Sequence, residues 1–131
     1  MAMTKAGHRA FGLFAHVTWH TRRRELSIRE EDVATVTRSI LAGAARTSVH
    51  VLAQATLADH VHALVSFRPD RPLMPFIREA KSESARQVNA AGGRLTWARG
   101  YYAGSVSRGH IPAVRSYIAR QRQRHPTCLP V

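Results

Sequence analysis

Hydrophobic and polar residues alternate along the first third of the chain. Leu13, Ala15, Val17 and Trp19 fall on one side of an extended segment, and Phe14, His16, Thr18 and His20 on the other. This predicts a strand over Phe11–His20. After the basic turn Thr21-Arg22-Arg23-Arg24 the period changes. Val33, Val36, Ile40 and Leu41 recur at helical spacing and predict a helix over about 29–45. Ser27 is the expected N-cap, with Glu30 completing a capping box, and Glu30, Glu31 and Asp32 suit the positive end of the helix dipole. Ser48–Ala55 reads as a second strand with Val49 and Val51 on one face. Leu57-Ala58-Asp59 is short enough for a hairpin connection. His60–Phe67 reads as a third strand that turns Val61, Ala63, Val65 and Phe67 to the core.

A loop with two prolines follows, Arg68–Pro72. A second helix is then expected over Leu73–Ala90, with Phe76, Ile77, Ala80 and Val88 inward, ending in Asn89–Gly93. Tyr101–Ser107 reads as a fourth strand. Gly109-His110-Ile111-Pro112 breaks it, and Pro112 suits the first turn of a last helix running to about Arg124. The order β-α-β-β-α-β-α predicts an α+β protein. Its first six elements match a ferredoxin-like βαββαβ arrangement: an antiparallel sheet with two helices on one face, plus an extra C-terminal helix. One domain over 1–131 is expected, with residues 1–10 a loose arm and 126–131 a tail.

Composition narrows the function. With 131 residues and 44% hydrophobic content, the chain can bury a modest core. No apolar run approaches the ~20 residues of a membrane span, and the N-terminus lacks a secretion signal. The single cysteine, Cys128, allows no internal disulfide, so a reducing cytoplasm is the default. Charge changes the picture most. Lys and Arg number 20 against 8 Asp and Glu, a formal charge of +12. From Ser84 onward there is no acidic residue, but there are Arg86, Arg94, Arg99, Arg108, Arg115, Arg120, Arg122 and Arg124. Arginine's planar fork suits phosphate oxygens, and the balance points to nucleic acid.

Within that frame His60-Val61-His62 stands out. On a strand, residues i and i+2 share a face about 6.6 Å apart, so the two imidazoles could hold one divalent ion. Tyr117 and Gln121 lie i and i+4 on the last helix, on one face and about 6 Å apart along the axis. Gln121 offers a carbonyl oxygen to a metal, and Tyr117 a phenol to a phosphorus atom. Two imidazoles and an amide are neutral, so they leave the full charge of the ion to polarise a phosphate. Arg115 and Arg120 are candidates to favour the phenolate. Taken singly, either pair also reads as ordinary polar residues: two histidines on a solvated sheet face, a surface Gln and a packed Tyr.

Taken together, these residues resemble a known family. Ala58-Asp59-His60-Val61-His62-Ala63-Leu64-Val65 resembles the histidine–hydrophobic–histidine (HUH) motif of the single-tyrosine transposases, the small transposases of insertion sequences and the related REP-associated tyrosine transposases. His16-Val17-Thr18-Trp19, Phe76-Ile77-Arg78-Glu79-Ala80-Lys81, Trp97-Ala98-Arg99-Gly100-Tyr101-Tyr102 and Val114-Arg115-Ser116-Tyr117-Ile118-Ala119-Arg120-Gln121 match in order, from about residue 11 to 125. The resemblance implies a ferredoxin-like fold and metal-dependent cleavage and rejoining of single-stranded DNA at hairpin-bearing ends through a 5′-phosphotyrosine. It implies His60, His62 and Gln121 as ligands of Mg²⁺ or Mn²⁺, Tyr117 as nucleophile, and a homodimer in many members, with the tyrosine serving either its own or the partner's histidines. Ala58 and Ala63 are smaller than expected beside the motif, and Arg120 stands where an Asn often precedes the Gln.

Lys81, Arg99, Arg115, Arg120, Arg122 and Arg124 are the expected DNA contacts. Asp59 either orients a ligand histidine or shapes the turn. His16 and His20 suit structural or DNA-facing roles. Tyr101 and Tyr102 suit stacking or core packing. Two other readings remain open: a non-catalytic nucleic-acid-binding ferredoxin-like module, and a phosphodiesterase that uses the histidines as acid and base.

Overall fold

The computed structural model describes residues 12–131. The arm expected over 1–10 and Phe11, the first residue of the expected strand, lie outside the described residues. The elements are β1 (Leu13–His20), α1 (Val33–Arg46), β2 (His50–Thr56), β3 (His60–Phe67), α2 (Met74–Ala90), β4 (Tyr102–Ser105), α3 (Ile111–Ala119) and the one-turn α4 (Gln121–Arg124). The sheet order is β2-β3-β1-β4 and all neighbours are antiparallel, the ferredoxin-like arrangement.

Strand alternation separates two faces. Ala15, Val17 and Trp19 of β1 and Val61, Ala63 and Val65 of β3 pack with Val36, Ile40 and Ala44 of α1 and Phe76, Ile77, Ala80 and Val88 of α2. Gly43 lets the helices approach: a Cβ there would lie 3.2 Å from the Ala80 backbone nitrogen. Trp19 is fully buried, edge-on to Phe76 and Trp97. The Trp97 indole N–H donates to Ser84 Oγ at 2.9 Å, so that ring's polar edge is satisfied inside the core.

Several expected details differ. Ser27 and Glu30 do not form the capping box. Instead Asp32 accepts from the Arg29 backbone N–H and guanidinium across a 3₁₀ turn at Glu30–Asp32. Leu41 is exposed, and the inward positions at that level are Ser39, Gly43 and Ala44. β2 begins at His50 and carries a bulge between Val51 and Ala53. β4 is shorter than expected, and Tyr101 and Tyr102 are exposed, so they do not pack in the core.

The last helix is also not continuous. Arg120 leaves helical geometry (φ −97°, ψ 7°) and separates α3 from α4. The tail beyond α4 packs down. The Ala58 N–H donates to Cys128 O at 2.7 Å, and Pro130 is buried. Ala58 itself is 2% exposed, so a bulkier side chain there would meet the packed interior.

Candidate active site

β1 and β3 sit side by side in register, with Thr18 opposite His62 and His20 opposite His60. Because their neighbours Val17, Trp19 and Val61 face the core, His16, Thr18, His20, His60 and His62 all face the other side of the sheet. That side is covered by α3, α4 and the tail. The His62 ring lies 5.9 Å from that of Tyr117 and 4.9 Å from that of His60. His60 and His62 are both 6% exposed, and Gln121 is fully buried, so the histidines do not lie on a solvated face.

Each ring is held through its Nδ1. His60 Nδ1 is 2.7 Å from Asp59 Oδ1, which leaves its Nε2 free to offer a lone pair. Asp59 thus orients His60, one of the two roles its position allowed. His62 Nδ1 is 2.8 Å from His16 Nε2 and 3.3 Å from Thr18 Oγ1. Burial, then the nearby His60, His16 and His125, push the His62 pKa down to about 3, against a lesser opposing effect of Gln121. The ring is therefore neutral at physiological pH, the form that ligates metals.

Two polar atoms here are buried and unpaired: His62 Nε2 and Gln121 Oε1. The Gln121 amide is fixed by its other end, where Nε2 donates to Tyr117 O at 3.1 Å. The i, i+4 relation thus survives the break at Arg120. Buried polar atoms left without a partner cost about 1–3 kcal/mol each. Two of them, beside a histidine whose orientation is set by an aspartate, match the donor set of a divalent-ion site with open positions. Among the described residues no group of three His, Cys, Asp or Glu side chains is arranged to hold a metal, so a third ligand here would be the amide.

Tyr117 is half-buried between His16 and His62. The Arg124 guanidinium lies over its ring, 5.1 Å from the centroid, while Arg115 and Arg120, the candidates to favour the phenolate, are exposed. His125, whose ring lies 5.7 Å from that of His60, was also not anticipated. Nothing in its local pattern marks it, because the tail that places it is irregular.

A model of the IS200-like transposase family matches residues 9–121. The chain belongs to the IS200-like transposases. It is 27% identical to the ISDra2 transposase TnpA of Deinococcus radiodurans, over 95% of this chain and 94% of that one. Two solved structures share its fold. One is a crystal structure of a Deinococcus radiodurans protein assigned as a transposase, with TM-score 0.67, 23% identity, and 85% of this chain and 92% of that one covered. The other is a REP-associated tyrosine transposase bound to a REP hairpin, with TM-score 0.71, 16% identity, and 86% and 68% covered. The protein is thus a transposase, an enzyme of DNA transposition. No helix among the described residues is long and apolar enough to cross a membrane.

The transposase's expected DNA contacts divide. Arg99, Arg115 and Arg120 are exposed. Arg122 donates to Glu30 Oε1 at 3.2 Å, and Arg124 covers Tyr117. Lys81 braces the backbone before β4. It donates to Ala98 O at 2.8 Å and Gly100 O at 3.0 Å, and burial lowers its pKa.

Proposed function

We propose that this transposase cuts and rejoins single-stranded DNA with Tyr117 as nucleophile and a divalent ion, Mg²⁺ or Mn²⁺, held by His60, His62 and Gln121. The supporting observation is the pair of buried, unpartnered polar atoms, His62 Nε2 and Gln121 Oε1, near the Tyr117 ring. When bound, the ion would supply Lewis-acid polarisation of the scissile phosphate. Asp59 and His16 hold and aim the two imidazoles. Tyr117 Oη attacks phosphorus, loses its proton, and forms a 5′-phosphotyrosine as the bond to the 3′-oxygen breaks and that oxygen leaves protonated. Attack by a 3′-hydroxyl on the phosphotyrosine reverses the step, so rejoining needs no ATP.

The substrate that suits this reading is hairpin-bearing single-stranded DNA, the kind of ligand carried by one of the structural neighbours. Tyr117 serves its own chain's histidines. The connection from β4 to α3, residues 106–110, spans at most ~18 Å when extended. It is tied down by Val106 N–H to Phe14 O at 2.9 Å and His110 N–H to Ser107 O at 2.9 Å. The Arg122–Glu30 pair in α4 and the Ala58–Cys128 hydrogen bond beyond it anchor the other end. In a homodimer each protomer would then carry a complete site.

Labelled hairpin DNA with Mg²⁺ or Mn²⁺ should give a covalent adduct on a denaturing gel, and Tyr117→Phe should give none. An adduct formed by Tyr117→Phe would refute the nucleophile. Salt-sensitive binding with no cleavage under any condition would favour a non-catalytic module. Mixing the His60→Ala and Tyr117→Phe variants should not restore the adduct, and restoration would show a shared site.

A further inference from the structure

β4 is an edge strand that pairs with β1, with Tyr102 opposite Thr18 and Gly104 opposite His16. Residues directly opposite on neighbouring strands share a face. The Tyr102 side chain and the bare face of Gly104 therefore belong to the side of the sheet that carries His16, Thr18 and His62.

Gly104 fixes where the Tyr102 ring lies. A Cβ on Gly104 would stand 2.5 Å from Tyr102 Oη, 3.0 Å from Cζ and 3.2 Å from Cε2. The phenol end of the ring thus lies across Gly104, a close approach to the strand that only glycine permits. One side of the ring rests on the sheet, yet Tyr102 is 61% exposed. Covering a strand glycine stabilises an edge, but it does not require the ring to stand beside the site. Gly104 is one strand spacing, about 4.8 Å, from His16, and the His16 ring is 5.9 Å from that of Tyr117. Tyr102, His16 and Tyr117 therefore form a row from the open edge of the sheet to the candidate nucleophile. Alongside it a cleft of about 430 Å³ opens between Ser105 and Ser107 on one wall and His110, Val114 and Tyr117 on the other.

We infer that Tyr102 is the stacking platform for an unpaired base of the DNA strand whose phosphate meets Tyr117, and that the adjoining cleft takes the neighbouring nucleotide. This rests on the reading of the substrate as single-stranded DNA cut by Tyr117. An exposed ring held flat on a sheet offers the π-face on which unpaired bases stack, and it accepts any base because every base has one. The reaction gives the platform a purpose. A flexible strand held only at its scissile phosphate turns freely about that point. A second attachment one base away removes this freedom and holds the phosphorus in line with Tyr117 Oη.

The test reads stacking directly and needs no cleavage. 2-Aminopurine, whose fluorescence is quenched on stacking, is placed one position at a time along the unpaired flank of a DNA hairpin and titrated with the metal-free protein. One position should be quenched, and Tyr102→Phe should keep the quenching. Tyr102→Leu should abolish it and weaken binding of the flanked hairpin about tenfold, while a hairpin without a flank binds as before. Gly104→Ala should also abolish it with Tyr102 still present, because the added methyl displaces the phenol end of the ring. Absence of any quenched position would overturn the platform, as would quenching that survives Tyr102→Leu. A lowered melting temperature in Tyr102→Leu with quenching intact would make the ring a cover for Gly104 and nothing more. With Mn²⁺ added, the quenched base should adjoin the nucleotide that becomes joined to Tyr117, and one several nucleotides away would equally overturn the assignment. Quenching in the wild type without any adduct would refute the tyrosine chemistry and leave the platform standing, so the two readings fail separately.

Discussion

The two faces of this sheet are made by the same strands and obey opposite rules. On one, Ala15, Val17, Trp19, Val61, Ala63 and Val65 pack against α1 and α2 in an apolar core. On the other, the intervening residues His16, Thr18, His60 and His62 are buried or half-buried under α3, α4 and the tail, with two polar atoms of the site left unpaired. The first face is stabilised by area removed from water. The second gives up stability to keep neutral lone pairs dry and available. The difference predicts that substitutions on the two faces separate stability from activity.

The largest effect on stability belongs to the core face. Trp19→Ala should cost about 3–5 kcal/mol, from lost burial plus the cavity left among Phe76 and Trp97. Urea denaturation of the metal-free protein measures it. A loss below about 1 kcal/mol would mean that the stability of the fold resides elsewhere than on this face.

Next comes the support of His62. Replacing His16 by Phe keeps an aromatic of similar shape but removes the Nε2 atom 2.8 Å from His62 Nδ1. Mn²⁺ affinity, read by calorimetry, should fall about 10- to 100-fold with the fold intact. Unchanged affinity would show that Thr18 alone holds the ring.

A smaller effect of opposite sign is expected at Gln121. Leucine has similar volume and removes a fully buried orphan acceptor, at the loss of one 3.1 Å hydrogen bond to Tyr117 O. Gln121→Leu should therefore stabilise the metal-free protein by roughly 1 kcal/mol while weakening metal binding. Destabilisation would mean that the amide is a structural element of the α3–α4 junction.

The core face was the more legible in sequence, and the reason is physical. Alternation in β1 and β3 and the helical spacing of Phe76, Ile77, Ala80 and Val88 report burial directly, and these residues are buried. The HUH triplet and the i, i+4 pair were legible too, because each depends only on residues close in sequence. What failed depends on tertiary detail. Leu41 sits on a helical stripe but faces solvent, since the close α1–α2 approach at Gly43 narrows the buried arc. Ser27 does not cap α1, because a 3₁₀ turn held by the Arg29–Asp32 pair precedes the helix. Arg124 over Tyr117 was not anticipated, nor was the break in the last helix at Arg120, where no Gly or Pro gives warning.

The smallest effect separates the faces by pH. Asp32 is 3% exposed and accepts from the Arg29 guanidinium and backbone, which hold its carboxyl below its ordinary 3.8. A lowered carboxyl pKa stabilises the fold above the unfolded value, and that contribution is lost as pH falls below 3.8 through the folded pKa. His62 works in a different window. Its folded pKa is depressed from 6.5 to about 3, so the unfolded chain takes up the proton first and stability drains as pH falls from 6.5 toward 3. Urea midpoints of the metal-free protein between pH 7 and pH 2.5 should therefore decline in two stages. His62→Phe should flatten the upper stage. Asp32→Asn should cost about 1 kcal/mol at pH 7 and have its deficit shrink only below about pH 4. If Asp32→Asn instead flattened the decline between pH 6.5 and 4, acid sensitivity would lie in the helix cap, and the buried imidazoles of the site face would not be the groups that resist protonation.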